Sequence, residues 1–135
     1  MNMKRILVAY DSSAPARRAL DTTIELAKAT GAGVTVVSVV PVHPGRVPID
    51  PWDDPTVHAQ ELREAKEVLA EHGIVAEYLM PHGDPAREIE MLAERGGFDT
   101  IVIGSRGLGV VSRFLQGSVS EHVATHADAT VVISR

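Results

Sequence analysis

Short apolar runs alternate with longer stretches of helical periodicity along the whole chain, and that alternation leaves few ways to fold. Arg5–Tyr10, Val34–Val40 and Thr100–Ile103 are almost unbroken apolar runs. A strand without polar alternation is one covered on both faces, as in a parallel sheet flanked by helices. Ile74–Met80 instead alternates, with Glu77 and Tyr78 interrupting it, and predicts a half-exposed edge strand. Between the runs, small or apolar residues recur at helical spacing. Ala14–Thr30 carries Ala16, Ala19, Leu20, Thr23, Leu26 and Ala27, and Val57–His72 carries Leu62, Ala65, Val68 and Leu69. Pro85–Arg95 has Ile89, Leu92 and Ala93; Ser118–His126 has Val119 and Val123, with Ala127 just beyond. Thr130–Ser134 closes the chain as a fifth strand. The order βαβαβαβαβ predicts a doubly wound α/β fold, a five-stranded parallel sheet with right-handed crossovers and helices on both faces. Strand order inside the sheet is not readable from the residues.

With 135 residues the expectation is one domain, 1–135, burying roughly two-thirds of the surface of its unfolded chain. Cysteine is absent, which excludes disulfides and thiolate metal sites. Lys4 and Arg5 precede only Ile6–Tyr10 before Asp11, too short an apolar run for a signal peptide or a membrane span. A cytoplasmic protein without membrane partners is expected. The 18 acidic residues outweigh the 13 basic ones, and no basic run exceeds two residues. General nucleic-acid binding, which neutralises phosphates over a broad positive face, is therefore not expected.

A small anion needs only a local pocket, and one segment suits it. Gly104-Ser105-Arg106-Gly107 follows the third apolar run, and Gly117-Ser118-Val119-Ser120 opens the last helical stretch. Glycine lets a backbone approach a ligand with no Cβ in the way. Ser118, Val119 and Ser120 fall at a helix start, where main-chain N–H groups lack intrahelical partners and the helix dipole favours an anion. From Gly104 to Ser120 there are two arginines and no carboxylate. The alternative is a plain glycine-punctuated turn. Ser118-x-x-Glu121 is also a capping box, which satisfies helix-start donors without a ligand. No Gly-Lys-Ser/Thr follows, so this is not a P-loop, and the first strand's turn holds no glycine of a dinucleotide fingerprint.

Gly104, two residues, Gly107, nine residues, then Gly117-Ser118 resembles the ATP-binding signature of the universal stress protein family. Ile6–Ser13 looks like that family's first strand and acidic turn, His82-Gly83-Asp84-Pro85-Ala86 like its Gly-x-Pro turn, and Thr130–Ser134 like its closing strand. The resemblance implies strand order 3-2-1-4-5, ATP with Mg²⁺ as ligand, and a homodimer through the edge of the closing strand. It implies a site made of Ala9, Tyr10, Asp11, Val39, Ile103, Gly104, Arg106, Gly107, Gly117, Ser118, Val119 and Ser120. Within it, Asp11 would hold the ribose or the phosphate-bound Mg²⁺, Val39 and Ile103 would border the base, and Arg106 would meet phosphate. The family usually has Asp-Gly-Ser where this chain has Asp11-Ser12-Ser13, and a side chain at position 12 tightens or shifts that turn.

Each of these residues also has a ligand-free reading. Asp11 makes an Asx turn, with Ser12 or Ser13 capping the helix before Pro15. Val39 is a core valine, Arg106 a solvated loop arginine, and Asp84-Pro85 an N-cap followed by proline at the first helical position. His122 and His126 share one helix face but lack a third ligand, and Asp50, Asp53 and Asp54 lack the spacing of a calcium cage. Pro41 to Pro55 contains five prolines and reads as one long loop. Three functions stay open: a nucleotide-responsive regulatory protein, a slow ATP hydrolase or nucleotidyl transferase on the same pocket, and a nucleotide-independent dimeric interaction module. For the enzyme, no nucleophile–base pair is recognisable from spacing.

Overall fold

The structure, a computed structural model, describes residues 3–42, 54–105, 123 and 127–134. Its elements follow in the order β1 (Arg5–Ala9), α1 (Ala14–Thr30), β2 (Gly33–Val37), β3 (Val40–Pro41), α2 (Pro55–Glu71), β4 (Ala76–Leu79), β5 (His82–Gly83), α3 (Pro85–Arg95), β6 (Thr100–Gly104) and β7 (Thr130–Ser134). Five strands make one sheet in the order β4-β2-β1-β6-β7, every pair parallel. Counting only those strands in chain order gives 3-2-1-4-5, the layout that the family likeness implies. The crossovers reverse direction between β1 and β6, where Ile6, Leu7 and Val8 lie opposite Thr100, Ile101 and Val102.

Alternation of side chains along strands explains the two cores. Ile6, Val8, Tyr10, Val34, Val36 and Val102 point to one face, against Ala16, Ala19, Leu20 and Ile24 of α1 and Ala65 and Leu69 of α2. Leu7, Ala9, Val37, Val39, Ile101 and Ile103 point to the other, against Ala86, Ile89 and Ala93 of α3 and Val123. Both faces of β1 and β6 are thus covered, as their apolar runs require. Helix ends follow from local chemistry. Ser13, Asp54 and Asp84 are the N-caps of α1, α2 and α3, each before a proline. Gly31 ends α1 at φ 76°, the left-handed conformation that glycine takes without strain.

One expected element divides. The apolar run Val34–Val40 does not form a single strand: β2 stops at Val37, and Val40–Pro41 pairs with His82–Gly83 in a separate two-stranded sheet. Ser38 N–H still donates to Leu79 O and Val40 N–H to Pro81 O. Pro81 has no N–H to return, so the β2–β4 ladder is interrupted there and resumes in the same register at Val40 opposite His82. The edge strand expected over Ile74–Met80 is β4, with Glu77 exposed and Ala76, Tyr78 and Leu79 half-buried. β7 forms the opposite edge. No described helix is long and apolar enough to cross a membrane.

Candidate functional site

The carboxyl ends of β1 and β6, adjacent strands at the reversal of the crossovers, form the crevice where ligands of such sheets bind. Six of the twelve site residues expected from the sequence lie there in the described part: Ala9, Tyr10, Asp11, Val39, Ile103 and Gly104. Arg106, Gly107, Gly117, Ser118, Val119 and Ser120 lie outside the described residues. So do Glu121, His122, His126, Asp50, Asp53 and most of the proline-rich loop. Ala9, Val39 and Ile103 belong to one apolar cluster on the α3 face, each buried.

Tyr10 faces the other way. Its ring sits in the α1–α2 core, and its hydroxyl donates to Glu64, so only its backbone is turned towards the crevice. Its N–H is taken by Val37 O at 3.0 Å. Burial, and then the hydrogen bond and negative charge of Glu64, push the phenol up to about 12.

Asp11 is buried, and its Oδ1 accepts the Ser13 N–H at 3.0 Å, an Asx turn. Ser13 Oγ in turn accepts the Ala16 N–H at 3.3 Å and caps α1. Between them Ser12 has φ 66°, the one positive φ among described non-glycine residues. A non-glycine residue there costs about 1–2 kcal/mol, and this is the position where the family's pattern has glycine. Ser12 Oγ offsets part of that cost by donating to Glu64 Oε2 at 3.1 Å.

Gly104 ends β6 against α1. A Cβ there would lie 2.8 Å from the carbonyl carbon and from the Cβ of Pro15, and 3.0 Å from Ala16 N. Its bare backbone therefore has a use inside the fold, the close seating of α1 on β6. Ser105 N–H is likewise occupied, by Ser134 O at 2.8 Å.

A buried polar group borders Val39 that residue spacing did not reveal. Ser38 Oγ lies 2.7 Å from His58 Nδ1 and donates to Glu61 Oε1 at 3.0 Å; His58 Nδ1 is 3.2 Å from the same oxygen. All three residues are less than 5 % exposed. The signal was present in α2. Its core stripe, carried back from Leu69 and Ala65 at helical spacing, falls on Glu61 and His58. This is a serine–histidine pair of the kind that motif spacing did not suggest. Its geometry is not that of an activated hydroxyl, because Glu61 shares the ring nitrogen with Ser38 instead of orienting the opposite one.

The family model described as the universal stress protein family matches residues 2–135. Universal stress protein YxiE of Bacillus subtilis is 32 % identical over 150 residues, covering 97 % of this chain and 98 % of that protein. This chain belongs to the universal stress protein family. The universal stress protein of Archaeoglobus fulgidus in complex with dAMP superposes with a TM-score of 0.75 at 28 % identity, covering all of both chains. An Arabidopsis thaliana universal stress protein family protein with AMP bound gives 0.73 at 22 % identity, over 97 % of this chain and 90 % of the other, a likeness of fold alone. Among the described residues of this universal stress protein, no three His, Cys, Asp or Glu side chains form a metal-binding group.

Proposed function

We propose that this universal stress protein binds an adenine nucleotide, ATP with Mg²⁺, at the carboxyl edge of β1 and β6 and uses it as a conformational or assembly signal. What supports the reading is topology: Asp11 follows β1 and Gly104 ends β6 at the crossover reversal, with Ala9, Val39 and Ile103 in one apolar cluster beside those strand ends. An adenine ring needs an apolar wall, and a ribose needs a fixed acceptor for its hydroxyls. The relative solved with dAMP supports the same ligand class. Gly104, Gly107 and Gly117 with Ser118, Val119, Ser120 and Arg106 would take the phosphates.

Mg²⁺ suits Asp11 as a single carboxylate ligand, since this ion takes most of its coordination from phosphates and water. When bound it would screen phosphate charge, while Ser13 N–H keeps Asp11 oriented. A nucleotide favouring one conformation shifts the population by its difference in affinity for the two. The edge strand β7 is proposed as the dimer contact in a cytoplasmic homodimer. Its Ile133 is 39 % exposed next to half-buried Val131 and Val132, on an edge that another strand can pair with. Mass spectrometry of freshly purified, undenatured protein tests the nucleotide reading. Co-purified adenine nucleotide released on denaturation supports it; protein that carries none and takes up none from millimolar ATP and Mg²⁺ contradicts it.

A further inference from the structure

Glu64 sits on α2, outside every segment of the nucleotide signature, yet its carboxylate grips both neighbours of Asp11. One oxygen accepts from the buried Tyr10 hydroxyl, the other from Ser12 Oγ at 3.1 Å. Arg17 Nε stands 3.7 Å from the first oxygen, at the solvent side. Ser12 holds a left-handed backbone that serine disfavours, at φ 66°. The Asx contact from Ser13 N–H to Asp11 Oδ1 is closed through that same dihedral. Returning residue 12 to the ordinary region of the map would swing Ser13 N–H away and break that contact to Asp11 Oδ1.

We infer that Glu64 is a positioning residue that pins the Asp11–Ser13 turn from helix α2 and thereby lets the site discriminate ribonucleotide from deoxyribonucleotide. This rests on the reading above that Asp11 meets the ribose. Where the family pattern has glycine, the turn reaches the left-handed region at no cost. In this chain the same geometry is held by a carboxylate anchored on the buried Tyr10. An acceptor fixed in direction rewards the 2′-hydroxyl; one free to rotate rewards it less, because ordering it offsets the gain.

The test compares AMP and dAMP affinities by titration calorimetry on the full chain. The variants are Glu64→Ala, Glu64→Gln, Ser12→Gly and, as a control away from the turn, Asp84→Ala. The wild-type protein is expected to prefer AMP by roughly tenfold, the worth of one well-made hydrogen bond. Glu64→Ala brings the ratio of the two affinities towards one, mainly by weakening AMP. Glu64→Gln keeps its size and one acceptor and falls between, so the comparison survives if the alanine variant fails to fold. Ser12→Gly reaches the same backbone conformation without strain, so it keeps most of the ratio without the Glu64 contact. Asp84→Ala loses stability but keeps the wild-type ratio, which separates positioning from general loosening. A folded Glu64 variant with an unchanged ratio, or a wild-type protein that binds both nucleotides equally, overturns this inference and leaves the nucleotide reading standing. Failure of the wild-type protein to bind either nucleotide overturns both.

Discussion

Replacing Gly104 with alanine separates two uses of the same bare backbone. The added Cβ would meet Pro15 C and Cβ at 2.8 Å, closer than real Cβ contacts come, and Ala16 N at 3.0 Å, tighter than most of them. None of the three atoms lies at the end of a flexible side chain. They belong to the first turn of α1, which Ser13 caps and which sits on buried β6. Relief requires the helix start to lift by several tenths of an ångström from the strand, and overpacking of this kind costs about 1–3 kcal/mol. With three rigid contacts the upper end applies, about 3 kcal/mol. At roughly 2 cal/mol/K of unfolding entropy per residue, that lowers Tm by roughly 10 °C. Gly33→Ala is the matched control, since its Cβ would find only Lys4 O at 3.9 Å, and its Tm is expected to hold or to rise slightly. Differential scanning calorimetry of the ligand-free variants reads the result. A Gly104→Ala protein that melts within about 2 °C of wild type refutes the steric reasoning. A loss of nucleotide affinity without a loss of stability would assign the glycine to ligand approach alone.

Further outcomes follow from the same contacts. His58→Ala removes a partner of both Ser38 and Glu61 in a buried site and is expected to cost about 3 kcal/mol in urea unfolding, against about 1 kcal/mol for Asp84→Ala, which loses only an N-cap. Tyr10 holds its proton up to about 12, and burial also raises Tyr78, so absorbance titration of the folded protein should show both phenolate steps displaced above those of the unfolded chain. Because the folded pKa is raised, Tyr10's contribution to stability is complete below pH 10 and is lost as pH climbs towards 12; Tyr10→Phe flattens that fall. Ile133→Lys places a charge on the exposed β7 edge, and sedimentation velocity should shift from dimer towards monomer while the Tm of the monomeric fold changes little.

Strands and helices were legible because burial on both faces leaves a plain mark. β1 and β6 read as unbroken apolar runs, and α1 and α3 begin and end where Ser13, Asp84, Thr30 and Arg95 said they would. The break in Val34–Val40 was not legible, because what ends the strand is Pro81 on a neighbour more than forty residues away. Asp11 makes the Asx turn that was one of its two readings, and it lies just after β1 at the crossover reversal, where the ligand role is a proposal. Gly104 shows how one residue type serves two ends, since spacing cannot tell a glycine cleared for a ligand from one cleared for a helix. Glu64 and the Ser38–His58–Glu61 group escaped notice for a different reason. Polar residues on a helix are read as solvated, and only the neighbouring strand ends decide which of them are buried. Strand order came from family likeness rather than from residues, and pairing in the structure agrees with it.

Titration calorimetry with ATP and Mg²⁺ on the wild-type chain and on Asp11→Ala tests the account most directly. Saturable binding at one site per chain, weakened roughly tenfold or more when the Asp11 carboxylate is removed, is the predicted result. Heats that never saturate at millimolar ATP, or an affinity indifferent to Asp11, would contradict it.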